Sequence, residues 1–445
     1  MSTDSRTLRD SVVRDRLIGR VVGARPGTRL IIVGALHGNE PAGVLAAQRV
    51  LKALAGVDPE RVSGSFVALV GNVAACNEPD PDTRYIETDM NRSFTPGCLE
   101  RARTLPDDDL GPEELEVRAL SAIIEQEIGG ERAVLADLHT TSAPSPPFAA
   151  MEDTLAARKV VRCLPLPVIL GLEEELPGLL FDHALNTHGI VSFIVESGQH
   201  NDPASVDGHE AVIWTLLDAL GIVPIEGGPV EHEIDPRLIL RKAAGPLERA
   251  VFDVRHREAI VEHDYETLPG RTTFEKVKRL QTPIGRQGGH TLVAPLSGQL
   301  FMPNRQPKRR PGDDAYFIVR EVSRGWLDLS ARLRKSAWMD TWTPRLLPGV
   351  RARPGHPGQL LVAPDIAVVL KRQLLHLLGY RLLRHTPVPH LSRPARSWQG
   401  VRTLVRAGLT MITGLFSGGE RARLSAERDE DWIIARRSLD RDPPA

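Results

Sequence analysis

Aromatic residues are scarce, at 4% of the chain, and charge is nearly balanced, with a formal net of -1. The first scarcity argues against single-strand nucleic-acid binding built on stacked rings. The second removes any global field that would draw the chain to nucleic acid or to a membrane surface. Cysteine is sparse too: Cys76, Cys98 and Cys163 stand far apart and are odd in number. They form neither a zinc-knuckle spacing nor a disulfide framework, which points to a reducing compartment and a cytoplasmic location. No uncharged run approaches the ~18 residues that a membrane-spanning helix needs. Residues 1–20 carry charges throughout and lack the apolar stretch of a secretory leader.

What is present is the profile of a globular protein. Hydrophobic residues make up 41% and charged residues 25% of 445, enough chain for two or three domains. Short apolar runs at Leu30–Ala35, Ser65–Val70, Ala133–Leu138, Leu166–Leu170 and Val191–Val195 read as strands buried on both faces. Helical stripes lie between them, at Ala42–Leu54, Pro112–Ile128 and Ala204–Leu220. The second of these starts on proline and acidic residues and stops before Gly129 and Gly130. Strands alternating with helices predict an α/β domain over residues 1–228.

After Gly227, Gly228 and Pro229 the segments shorten and few helical stripes survive. Residues 229–325 are expected to form a small β-rich domain, with strands in Leu292–Met302 and Tyr316–Val322. Residues 326–445 form a C-terminal extension with amphipathic helices expected over 366–383 and 401–416. The stripe Val401, Leu404, Val405, Leu409, Ile412, Leu415 and Phe416, with Arg402 and Arg406 off it, fits packing on the protein itself or on a partner subunit of a homo-oligomer. Peripheral membrane contact is the weaker reading.

The chemistry-bearing residues sit where buried strands end, which is where open α/β sheets bind ligands. HGNE, His37 to Glu40, follows the first strand, with Gly38 expected to ease the turn. A His and a Glu three apart in a tight loop can aim at one point. His139, in DLHTT, follows another strand and completes a His2Glu set, a ligand group of hydrolytic zinc that leaves one position open. Asp137, on the same strand face as His139, is placed to orient its ring. A lone His-x-x-Glu is common, and a lone strand-end His is more often structural. Glu196 closes a third strand, where a buried carboxylate is costly without a function or a partner. Beside an activated water it would act as general base and then acid. Arg84, Asn91 and Arg92, in RYIETDMNRSF, form a polar cluster suited to an anionic substrate.

These pieces, in this order, resemble the succinylglutamate desuccinylase and aspartoacylase family, a branch of the zinc carboxypeptidase-like fold. The likeness rests on HGNE at 37–40, Asn72 in VGNVAA, Arg84-Tyr85, DMNR at 89–92, DLHTT at 137–141 and IVESG at 194–198. It covers residues 28–225 and continues more loosely through TPIGRQGGHTLVAPLSGQLFMP. It implies a mixed α/β sheet flanked by helices, followed by an appended β domain. By position it implies one zinc ion on His37, Glu40 and His139, and Glu196 as base. Arg84 would polarise the scissile carbonyl, and Asn91 with Arg92 would hold the substrate carboxylate. The implied reaction is hydrolysis of an N-acyl bond in a small molecule. The aspartoacylase branch carries a substrate-binding arginine about ten residues before its glutamate; Ala184 to Gly189 contain none, so N-acetylaspartate is not the expected substrate. His183 or His188 would then serve a different pocket, or a surface role. Two alternatives remain open: a zinc carboxypeptidase acting on peptides, and a non-catalytic binding protein that kept the fold.

Overall fold

Apolar runs become inner strands because both of their faces are covered. The computed structural model describes residues 15–200, 202–335, 343, 347, 350–352, 359–362, 368–383 and 433–437. Strands β1 (Leu17–Val22), β2 (Arg25–Gly34), β3 (Ser63–Val70), β4 (Ala133–Thr141), β5 (Phe148–Met151), β6 (Val168–Leu170) and β7 (Val191–Gln199) overlap every predicted run, with Ala35, Leu166 and Pro167 falling outside them. Between and after them lie α1 (Ala42–Leu54), α2 (Val73–Asn77), α3 (Pro96–Thr104), α4 (Pro112–Ile128), α5 (Leu155–Val161), α6 (Leu180–His188), α7 (Pro203–Ala219) and α8 (Pro236–Ala244). The start and stop signals read for α4 hold: Pro112 opens it, and Gly129 closes it at φ 52°. The Asp202 carboxylate caps α7 through the Ala204 N–H.

Five of these strands, β3, β2, β4 and β7 with β1 at the edge, form a continuous block; β3, β2, β4 and β7 run parallel, and β1 pairs antiparallel with β3. Alternate residues serve the two faces. Ile31, Val33, Val67, Leu69 and Leu135 join α4 and α6 in one core cluster, through Val117, Leu120, Ile124, Leu180 and Ala184. Each such buried aliphatic side chain contributes about 1.5–3 kcal/mol. Helices α1 and α7 pack on each other and on the sheet.

Beyond residue 228 the same sheet continues. Strands β8 (Val251–Ala259), β9 (Glu266–Thr267), β10 (Lys276–Val277), β11 (Pro283–Gln287), β12 (His290–Val293), β13 (Gly298–Phe301) and β14 (Asp314–Glu321) follow in sequence. Among the described residues, the large sheet has the order β1-β3-β2-β4-β7-β5-β6-β8-β14-β13-β10, and β12-β11-β9 form a separate small sheet. Residues through Val322 are one compact unit and those from Ser323 another.

The second unit holds α9 (Arg324–Arg334), β15 (Val350–Ala352), β16 (Gln359–Val362), α10 (Val368–Leu377), β17 (Tyr380–Leu383) and β18 (Ile433–Arg437), with strand order β15-β16-β18-β17. The helix expected over 366–383 is therefore shorter. Gly379, at φ 84°, turns the chain, and Tyr380–Leu383 pair with β18 instead. The stripe at 401–416 lies outside the described residues. Among the described residues, no helix is long and apolar enough to cross a membrane.

Candidate active site

The parallel strands β2, β4 and β7 end side by side, and their last residues or the loops after them carry the polar groups. Register places Gly34 beside Leu138 and His139 beside Glu196. The turn out of β2 is tight. Ala35 takes the left-handed φ of 52°, and Gly71 and Asn72 donate backbone hydrogen bonds to Gly34 and Ala35. Gly38 serves differently from the sequence expectation. Its φ is not positive; a Cβ there would lie 2.6 Å from the Ala75 carbonyl oxygen and 2.7 Å from that of Thr83. Close backbone approach fixes glycine there, and the Gly38 N–H donates to the Arg84 carbonyl at 3.0 Å.

His37, Glu40 and His139 converge, with ligand-type atoms within 4.8 Å of one another and all three side chains buried. Glu40 sits between the rings: Oε1 lies 2.9 Å from His37 Nδ1 and Oε2 lies 3.0 Å from His139 Nδ1. The outer ring nitrogens meet further carboxylates. His37 Nε2 lies 3.0 Å from Asp89 Oδ1, and His139 Nε2 lies 2.8 Å from Asp137 Oδ2. Asp137 thus lies at ion-pair distance from one ring, with no hydrogen bond completed by either of its oxygens, and Asp89 hydrogen-bonds the other ring. The Thr140 N–H donates to Glu40 Oε2 at 3.0 Å, and His209 Nε2 donates to the His139 carbonyl at 2.9 Å.

This arrangement fits a dication. A carboxylate on Nε2 of each ring turns the Nδ1 lone pair inward, the pattern of imidazoles bound to metal. Arg84 pairs with two of the three carboxylates, Glu40 and Asp89, while Asp137 lies against the His139 ring. Buried charge is costly without a counter-charge. Burial opposes the charged form of Glu40, yet His37 and His139 hold its pKa well below the ordinary carboxylate value. Burial likewise opposes a charged His139, yet Asp137 and Glu40 lift its pKa well above that of a free imidazole.

Glu196 stands apart from this network. It is buried, and its Oε2 has no hydrogen-bond partner. Burial pushes its pKa up to about 8; Glu40 and Asp137 add to the shift, while His139 and Arg84 oppose it. Arg84 donates to Glu40 Oε1 at 2.8 Å and to Asp89 Oδ2 at 3.2 Å. Its loop is held by Glu113, whose carboxylate accepts the N–H groups of Ile86, Glu87 and Thr88.

Asn91 is buried, accepts the Leu180 N–H at 3.0 Å, and its amide nitrogen lies 3.5 Å from His139 Nε2. Arg92 donates to the Asn91 carbonyl at 2.7 Å and to Asp314 Oδ2 at 2.8 Å. His37, Glu40, Arg84, Asn91, Arg92, His139 and Glu196 all line one cavity of about 630 Å³. Asn72 caps α2 through the Ala75 N–H and does not line it. Neither do His183 and His188: His183 stacks on Phe94 and bonds Thr187.

The β-rich part was expected to narrow the pocket, but none of the residues of the cavity's outer wall was named from the sequence. Arg257 from β8, Asp314 and Phe317 from β14, and Met302 to Lys308 between β13 and β14 close it. Gln306 reaches His200, which bonds the Thr140 hydroxyl at 2.7 Å. The alternation of Phe252 and Val254 with charged residues was the available signal for β8.

A mixed α/β sheet thus brings a buried His-Glu-His group that could hold a metal ion beside a buried glutamate at a neighbouring strand end. Residues 26–208 match the model of the succinylglutamate desuccinylase/aspartoacylase catalytic domain. A human relative, N-acyl-aromatic-L-amino acid amidohydrolase (carboxylate-forming), is 34% identical over 123 residues, 27% of this chain. The matched stretch spans 36% of that enzyme's length. Among solved structures, a succinylglutamate desuccinylase/aspartoacylase from Rhodobacter sphaeroides is similar at 17% identity and TM-score 0.49, covering 68% of this chain and 88% of that one. The product-bound ectoine utilization protein from Ruegeria pomeroyi is similar at 16% identity and TM-score 0.48, covering 68% and 87%.

Proposed function

We propose that this protein hydrolyses an N-acyl amide bond in a small carboxylate-bearing molecule, with one zinc ion held by His37, Glu40 and His139. The observation that carries this reading is the convergence of those three donors beside a carboxylate, Glu196, that bonds none of them. When bound, the ion would supply Lewis acidity to the scissile carbonyl and to water.

The chain's own groups do the rest. Glu196 takes a proton from the attacking water as the oxygen–carbon bond forms. It then delivers that proton to the amide nitrogen as the carbon–nitrogen bond breaks, releasing a free amine and a carboxylic acid. Burial raises its pKa, which favours return of the proton to the leaving nitrogen. Arg84 donates to the developing oxyanion. Asn91 and Arg92 hold the substrate carboxylate in a fork of donors. Residues 1–228 carry the donors and the base, and 229–325 carry the outer wall.

That wall favours small substrates over peptides, since Met302, Gln306 and Lys308 line the same cavity as the strand-end residues. A panel of N-acyl amino acids and dipeptides, assayed on zinc-loaded protein, tests the reading. Release of amine from the N-acyl compounds supports it. Cleavage of dipeptides alone would replace it with a carboxypeptidase, and turnover of neither class would favour a binding protein.

A further inference from the structure

The cations around the cavity are paired unevenly. Arg84 faces two carboxylates, Glu40 and Asp89. At the other end Arg92 and Arg257 share a single one: Asp314 takes Arg257 Nε on Oδ1 at 2.5 Å and Arg92 Nη2 on Oδ2 at 2.8 Å. Two guanidiniums on one carboxylate leave a single net positive charge. Arg310 also lines the cavity, away from this pair: its guanidinium lies over the Tyr85 ring and donates to the Glu87 carbonyl at 2.9 Å.

The ground beside this triad is apolar. Phe317 is the register partner of Arg257 on the adjoining strand. Leu172, Leu176, Leu179 and Ile194 line the same cavity, and each is buried. A second substrate carboxylate would have to lie on this wall without a cation, which is strongly unfavourable.

We infer that Asp314 is a specificity-determining residue that limits the substrate to one carboxylate and leaves its remaining group to an apolar wall. The substrate class is then a monoanionic N-acyl amino acid with an apolar side chain or acyl group. This inference rests on the hydrolase reading above for its chemistry, though not for its electrostatics. Removing the Asp314 charge frees one arginine for a second carboxylate. Removing the Arg257 charge lets Asp314 neutralise Arg92 and weakens the site for any anion.

The test uses zinc-loaded full-length protein with N-acetyl-L-leucine and N-acetyl-L-aspartate, measured by turnover and by calorimetric binding. Wild type is expected to prefer the leucine compound by about tenfold or more, one charge pair's worth. Asp314→Asn is expected to raise the relative preference for the aspartate compound by about tenfold, and Arg257→Gln to weaken both. Thermal melting of each variant confirms that it is folded. An unchanged leucine-to-aspartate ratio in folded Asp314→Asn overturns the inference, as does a wild-type preference for aspartate or binding of neither compound. If both are hydrolysed with an unchanged ratio, the hydrolase reading stands and only this inference falls. If the ratio shifts in binding while neither is hydrolysed, this inference stands and the hydrolase reading falls.

Discussion

Glu196 lies directly across from His139 in the register of the parallel strands β7 and β4. One strand end thus carries a candidate metal donor and its neighbour a buried carboxylate, held at a fixed spacing by backbone hydrogen bonds. Glu196→Gln keeps the shape and removes the base. We expect kcat to fall by about 10²–10⁴ while zinc content, measured by elemental analysis of the same sample, stays at the wild-type level. Loss of metal together with activity would make Glu196 structural.

The contact of Asp137 with His139 Nε2 at 2.8 Å predicts a different outcome. Asp137→Asn leaves all three donors in place but loosens the ring. Zinc affinity, read by competition with a chelating dye, is expected to drop about 10–100-fold. The same holds for Asp89→Asn through His37, with 3.0 Å between the groups. Unchanged affinity in both variants would remove the argument that these carboxylates fix the rings.

Arg84 donates to two carboxylates at the donor cluster, and its proposed task is to stabilise an oxyanion. Arg84→Gln is expected to lower kcat by about 10²–10³ with a smaller change in KM. A rise in KM alone would make it a ground-state binding group instead.

Away from the site, His183 offers a pH test. Burial, with His188 and Arg103 adding repulsion, lowers its pKa to about 4 from the ordinary 6.5. The folded protein therefore binds fewer protons than the unfolded chain between those values. Stability from this group is fully present above about 6.5 and is lost as pH falls toward 4. His183→Gln removes the titration. Melting temperatures measured across that window should fall less steeply with acid in the variant than in wild type; parallel curves would contradict the assignment.

How far the sequence carries can be seen residue by residue. His37, Glu40, His139 and Glu196 were legible because each follows an apolar run long enough to announce a buried strand, and α/β sheets place their sites at such ends. Asp137 was legible from strand periodicity. Gly38 was recognised for the wrong reason: what excludes a side chain is the Ala75 carbonyl, which only the folded loop brings near. Arg257 and Asp314 were not legible. They meet through pairing of β8 with β14, 57 positions apart in sequence, and the half of β8 that carries Arg257 shows no buried-to-exposed alternation. The expected helix beyond 377 failed at Gly379, where a left-handed turn and pairing with β18 overrode a continuous apolar pattern.

Metal stoichiometry tests the central claim most directly. Protein reconstituted with zinc and freed of excess should carry one equivalent per chain, and His139→Ala, which removes one of the three convergent donors, should carry far less under the same treatment. Zinc absent from the wild type after reconstitution, or retained in full by His139→Ala, would contradict it.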